Sequence, residues 1–554
     1  MRTIPLSRRA RRWLLVLVPA LSLACMFAAI AWRLFAPYRD VDILIVGGTV
    51  VDGTGAEPHV ADIAVRNGRV LGASTWRFYF SRPKLRVEAA GKVVAPGFID
   101  VHTHVEPNVP QSGAFRPANF LRQGVTTIIT GNCGRSRTDV AALFRGLERN
   151  GTYINVATLV GHNSVRQEVM GSASRGPTPQ ELTRMRGIVE RAMQGGALGL
   201  STGLVYSPGR FAELPELVAL SEVAARGGGL YVSHIRDEGR GGVSALREAL
   251  EVGRLARAPT HISHFKCSGR AEWQTAPRRL EILDAARAAG QRVTLDVYPY
   301  DRSSTTTDVL LPDWAVRDGR AGLREVAQSA AARRRLRDEI LASMRESGWE
   351  DLGHVRLVAG REEWVGRSLA EVPAAAGGDA VRQVENLIEV SLRGGAQAIY
   401  GDMSEEDVRR IMNDPFCVFG SDSAVRDPEQ LYRPHPRGSG TFPRVFARYV
   451  RDERLLALSQ AVRKATGQAA DIFGLEGRGY LHPGAWADVV VFDPERITDH
   501  ADYDHPFAAP TGIDYVIVNG VVVVDHGNLT GEAPAGGAVG RANGRYEKFP
   551  PTLP

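Results

Sequence analysis

Cysteine is scarce. There are four in 554 residues, at positions 25, 133, 267 and 417, too few and too scattered for a disulfide framework. The body of the chain also lacks an excess of either charge. The formal +6 of the whole sequence equals that of residues 1–40 alone, which hold seven Arg, no Lys and a single acid, Asp40. From Val41 onward the chain is close to neutral, which excludes a basic binding groove, so no nucleic-acid partner is expected.

The N-terminus accounts for its own charge. Arg2, Arg8, Arg9, Arg11 and Arg12 precede Trp13–Trp32, twenty residues without a charge, which as a helix would span about 30 Å. The pattern predicts one N-terminal transmembrane helix, with a basic anchor over residues 1–40. More Arg lie before the span than after it, which sets the N-terminus in the cytoplasm. The expected location is therefore a bacterial inner membrane, crossed once, with a periplasmic catalytic body and the membrane as a partner. A cleaved signal peptide fits less well, because the apolar stretch is long and no A-x-A site is promptly followed by polar sequence. "SRRARRWLL" also partly resembles a twin-arginine export signal.

Past the anchor, "VDILIVGGTVVDGTG" and "DIAVRNGRVLGAS" read as strands broken by Gly-rich turns. "ADVVVFD" and "DYVIVNGVVVVDHG" repeat that texture near the other end. The two ends, 41–94 and 471–530, are expected to pair into one small β-sandwich. Between them, 95–470 alternates short apolar runs with Ala-, Leu-, Arg- and Glu-rich helical stretches, as in "LEILDAARAAGQRVTLDVYPY". This predicts an α/β fold, a (β/α)8 barrel with a subdomain inserted near 303–395. The tail, 531–554, is rich in Gly, Ala and Pro and reads as a mobile extension or a surface strap.

In a barrel, reactive groups come from the C-terminal ends of strands. "APGFIDVHTH" sets His102 and His104 on one side of a strand end, since side chains alternate along a strand. Alone, the pair could equally be surface or core histidines. However, "TTIITGNCG" ends at Cys133, "LYVSHIRDEG" at His234, "THISHFK" at His264 and "CVFGSDS" at Asp422. Imidazole and thiolate donors suit Zn²⁺ better than Mg²⁺ or Ca²⁺. Asp422 stands apart in chemical type, as a weak ligand or a base. His261 and His162 fit the cluster less well. Arg437, in "HPRGSGTFPR", is either an ordinary loop residue or a binder of a substrate carboxylate.

These motifs resemble the D-aminoacylases, or N-acyl-D-amino-acid deacylases, of the amidohydrolase superfamily. The resemblance runs from about Asp42 to Val539, through "VAPGFIDVHTH", "GVTTIITGNCG", "LVGHNSVRQEVMG", "GALGLSTGLVYSPG", "LYVSHIRDEG", "ISHFK", "DVYPYDRSST", "MSEEDVRRIM", "GSDS" and "GTFPRV". It implies a tightly held zinc on Cys133, His234 and His264, a second, weaker metal position at His102 and His104, and Asp422 as catalytic base. Tyr206, Lys266, Tyr298 and Ser304 resemble residues that hold the substrate, a small N-acyl amino acid. Three segments depart from the pattern: Val105 and Glu106 after the second His, Asp301 and Arg302 in the substrate segment, and Ser423 after the Asp. They touch side-chain preference rather than the ligand set, and Arg437 or Arg302 could favour acidic side chains. The chemistry so implied is zinc-dependent amide hydrolysis by activated water, with Asp422 as general base. The rival activity is hydrolysis of cyclic amides, as in hydantoinases, and a rival of another class is a non-catalytic anchored protein that kept the fold.

Overall fold

A computed structural model of the chain describes residues 8–35, 38–317, 319–372, 378–426, 429, 432–531, 534 and 539. The first strands are β1 (Asp40–Val50), β2 (His59–Arg66), β3 (Arg69–Ser74), β4 (Arg82–Glu88) and β5 (Val93–Pro96). Near the other end lie Val489–Phe492, Ile513–Val518, Val521–Asp525 and Asn528–Leu529. All nine join one continuous sheet, the two ends of the chain meeting where β5 pairs antiparallel with Val489–Phe492. Alternation places Ile43, Ile45, Ile63, Val489, Val491 and Ile517 in one buried cluster, as period-2 patterning requires.

The barrel strands follow: β6 (Phe98–Asp100), β7 (Val125–Thr130), β8 (Asn155–Thr158), continued by β9 (Val160–Gly161), β10 (Gly199–Gly203), β11 (Leu230–His234), β12 (Thr260–Ile262), β13 (Val293–Val297) and, later in the chain, Cys417–Phe419. Neighbouring pairs are parallel. The ring closes where Leu198 N donates to Thr158 O (2.9 Å), Val101 N to Phe419 O (3.4 Å) and Asp422 N to His102 O (2.8 Å). Most of these strands are buried at every position, because helices cover the outside and packed side chains fill the inside. Between β13 and Cys417–Phe419 the chain builds a separate antiparallel sheet, β14 (Ser303–Thr306), β15 (Val355–Ala359) and β16 (Gln397–Tyr400). This sheet and the helices Gly319–Gln328, Ala330–Glu346 and Ala380–Leu392 enclose a core of their own.

The result is an α/β fold, a parallel barrel beside a sheet made from both chain ends, with one correction to the expected fold class. Residues Arg8–Phe35 do form a helix, α1, of 28 residues with Pro19 inside it. Among the described residues, however, no helix is long and apolar enough to cross a membrane. The transmembrane helix is therefore not supported, and neither is a membrane partner. Residues 1–7 and most of the tail lie outside the described residues; of the tail, Val539 N donates to Val156 O at 2.9 Å.

Candidate active site

The mouth at the C-terminal ends of the barrel strands gathers the residues singled out in the sequence. His102 and His104 follow β6, Cys133 follows β7, His234 ends β11, His264 and Lys266 follow β12, Tyr298 follows β13, and Asp422 follows Cys417–Phe419. Cys133, His264 and Asp422 leave their strands with φ of 51°, 33° and 49°, a left-handed conformation that non-glycine residues adopt at a cost of about 1–3 kcal/mol when strongly strained. Gly420 permits the crowding. A Cβ on it would lie 2.5 Å from the His102 Cβ, so only glycine lets the last barrel strand run against His102.

Two donor groups share Cys133: His102, His104 and Cys133, and Cys133, His234 and His264; a third holds His102, His264 and Asp422. Cys133 Sγ lies 3.3 Å from His102 Nε2 and 3.5 Å from His264 Nε2. Donors about 2.0–2.3 Å from one tetrahedral zinc stand roughly 3.5 Å apart, so the spacing fits the ion. The Nδ1 of His234 is buried with no hydrogen-bond partner in the structure, a lone donor left for a ligand. Chemistry and geometry both suit zinc.

The electrostatics keep the acids ionised. Burial opposes charge on Cys133, but His102 and His264 outweigh it and hold the thiol well below its ordinary value. Burial likewise opposes charge on Asp422, and Arg437, His104 and the other imidazoles reverse it, holding this carboxyl well below the usual range. Asp422 Oδ1 lies 2.9 Å from His104 Nε2 and Oδ2 lies 2.9 Å from Arg437 Nη1. Burial raises the pKa of Tyr206 and Tyr298, which leaves two neutral phenol donors. Tyr206 Oη and Thr305 Oγ1 are 2.9 Å apart and hydrogen bonded. Tyr298 donates to Met403 Sδ (3.5 Å) and carries the Arg437 guanidinium 4.7 Å from its ring centre.

Lys266 is not a free cation. Its Nζ donates to Glu238 Oε1 (2.7 Å) and lies 2.8 Å from His264 Nδ1. Ser304, on β14, accepts from Gln397 at its Oγ (3.4 Å), and its carbonyl accepts from Arg437 Nη2 (3.3 Å). Arg302 lies over the Tyr503 ring at 4.4 Å and lines neither cavity at the mouth. His162 is tied to Glu216 (2.8 Å), away from the cluster. His261 reaches the site only through Asp296, whose Oδ2 is 2.9 Å from His261 Nε2 and 3.4 Å from His102 Nδ1.

Two carboxylates went unread in the sequence. Asp296 orients His102 and accepts from His264 N at 3.0 Å; burial disfavours its charge, and His102 and His261 overcome that. Its signal was a lone acid inside the apolar run "VTLDV". Glu238 faces His264 Nδ1 (3.0 Å) and Lys266. Its signal was the i, i+4 spacing from His234 in "SHIRDE". Such outer partners fix the ring and tautomer of a ligating histidine.

Comparison with known proteins agrees with this architecture. The sequence profile of the amidohydrolase family matches residues 86–524, and the chain belongs to that family. It is 37% identical to an N-acyl-D-glutamate deacylase of Alcaligenes xylosoxydans xylosoxydans over 88% of this chain and 94% of that one. A D-aminoacylase of the same organism is 35% identical over 89% and 96%. A crystal structure of N-acyl-D-glutamate deacylase from Bordetella bronchiseptica, complexed with zinc and a phosphonate mimic of the tetrahedral intermediate, superposes with a TM-score of 0.75 at 35% identity, covering 92% of this chain and 100% of that one. A D-hydantoinase structure at 17% identity and a TM-score of 0.52 shares the fold alone.

Proposed function

We propose that the chain hydrolyses the amide bond of N-acyl-D-amino acids, releasing a carboxylate and a D-amino acid. The observation that carries this reading is the ionised Asp422 carboxylate set beside a buried Cys133–His234–His264 donor group at one barrel mouth. Zinc held by those three residues would polarise the carbonyl and activate water when bound, with one tight ion per chain and a weaker second position at His102 and His104. Asp422 Oδ1 takes a proton from the attacking water and returns it to the leaving nitrogen. The Tyr206 phenol, neutral and half-buried, turns from Thr305 to donate to the developing oxyanion. Arg437 and Lys266 flank Tyr298 and hold the substrate α-carboxylate, a task for which two converging cations suffice.

The D preference is taken from the relatives, which are named for D-amino acid substrates. Carbonyl, carboxylate and side chain are then held at three points, and misplacing one by about 1 Å can cost on the order of 10²-fold. Assaying zinc-loaded protein on N-acetyl-D-leucine and its L-enantiomer tests the reading. The D form should be cleaved at least tenfold faster; equal rates, or faster hydrolysis of a hydantoin than of any N-acyl-D-amino acid, would replace it with the cyclic-amide activity.

A further inference from the structure

His435 has no part in the chemistry assigned above, although it is buried, packs beside Tyr298 and lines the same cavity as Arg437. It sits on the turn into the helix Arg437–Arg444, and both of its ring nitrogens are engaged. The backbone nitrogen of Arg437 donates to Nδ1 at 3.0 Å, and Nε2 lies 2.9 Å from the carbonyl oxygen of Arg302. A backbone N–H only donates and a carbonyl only accepts, so the ring is neutral with its proton on Nε2. Tyr300 and Tyr503 meet it edge-on, with ring centres 5.1 and 5.2 Å away, and hold its plane. The imidazole thus clamps two loops of the mouth: the one after β13, with Tyr298 and Arg302, and the one after Cys417–Phe419, with Asp422 and Arg437.

What the clamp controls is Arg437. Its Nη1 lies 2.9 Å from Asp422 Oδ2, its Nη2 donates to the Ser304 carbonyl at 3.3 Å, and its guanidinium lies against Tyr298. Its Nε is buried and has no hydrogen-bond partner among the described residues. With no bond along the stem of the side chain, the place of the guanidinium depends on where its backbone starts, and that backbone is tied at its nitrogen to His435. From this geometry we infer that His435 is a positioning residue of the deacylase: through its bond to Arg437 N it sets the arginine that pairs with Asp422 and takes the substrate α-carboxylate. The inference rests on the deacylase reading and adds to it a residue that acts through another.

Two substitutions separate the two bonds of the ring. In His435→Asn the side-chain oxygen takes the place of Nδ1 and accepts from the nitrogen two residues on, as in an Asx turn, while the bond to Arg302 is lost. In His435→Gln the amide takes the place of Nε2, and the bond to Arg437 is lost instead. Each variant, counted by its bound zinc, is assayed on the N-acetyl-D-amino acid that the wild type cleaves fastest. We expect His435→Gln to lower kcat/KM by roughly 10- to 100-fold and His435→Asn to stay within about threefold of wild type. A loss for His435→Asn as deep as that for His435→Gln, or no loss in either, overturns the inference, since a merely structural ring would not distinguish its two nitrogens. In an Arg437→Lys background the Gln substitution should cost less than about threefold further; the same factor in both backgrounds would show that His435 does not act through Arg437. Should His435→Gln yield no zinc-loaded protein, His435→Asn still decides, by keeping activity or losing it. No hydrolysis of any N-acetyl-D-amino acid by the wild type would remove the deacylase reading itself, an outcome seen before any variant is made.

Discussion

The barrel mouth and the sheet made from the two chain ends are both built of short strands, yet they use their side chains in opposite ways. The end sheet turns Ile43, Ile63, Val491 and Ile517 inward onto one another, and its non-glycine residues with positive φ include Asn67 and Asn519, a residue type that tolerates turns. At the mouth the positive-φ residues are Cys133, His264 and Asp422 themselves. Their neighbours are charges rather than methyl groups, the buried Asp296, Lys266 and Arg437 and the half-buried Glu238. The sheet contributes stability; the mouth holds strained backbone and desolvated charge where chemistry takes place.

Substitutions should sort accordingly. The largest loss is expected for Cys133→Ala, which removes a donor common to two groups. Zinc measured after brief chelation should fall away and turnover should drop by more than the ~10- to 100-fold that losing an outer partner costs. Zinc at the wild-type level would mean that the thiolate is not a ligand. In the sheet, Ile63→Ala should cost about 2–5 kcal/mol of stability, read from denaturant unfolding, while kcat/KM of the folded protein stays put; an activity loss as deep as that of a mouth variant would erase the contrast. Asp296→Asn should lower metal affinity or turnover by roughly 10- to 100-fold, because His102 loses its orienting carboxylate, with little change in melting temperature.

The smallest effect concerns acid. His354 is stacked on Trp349 with ring centres 4.0 Å apart, and burial lowers its pKa from 6.5 to about 4. The folded state thus keeps this imidazole neutral while the unfolded chain takes up the proton first. The stabilising contribution is complete above about pH 6.5 and is lost as pH falls from there toward 4. His354→Phe should consequently lose less melting temperature than wild type between pH 7 and pH 5. An identical loss in both would show that this ring does not contribute.

Much of this division was legible beforehand, for different physical reasons in the two regions. Alternating Val and Ile disclose a half-buried strand without tertiary knowledge, so the pairing of both chain ends was readable. Metal-type residues at strand ends were readable too, since a parallel barrel places those ends together. The sequence did not disclose which strands of the two ends meet, β5 against Val489–Phe492, because register between distant strands leaves no local mark. Nor did it disclose how each cation is used: Lys266 reads as free until Glu238 is seen 2.7 Å away, and Arg302 reads as a substrate residue until it is found on Tyr503. Asp296 was hidden because one acid in an apolar strand has no spacing to announce it. The N-terminal helix shows the reverse case, where an uncharged run of the right length predicted a membrane span that the described residues do not support.

The most direct test of the account replaces Asp422 by Asn and measures zinc and turnover on the same sample. The side chain keeps its shape and can no longer accept the proton, so zinc should remain at the wild-type level while hydrolysis of N-acetyl-D-leucine falls by roughly 10²- to 10⁴-fold. Near-normal turnover with zinc in place would contradict the account and remove Asp422 from the mechanism.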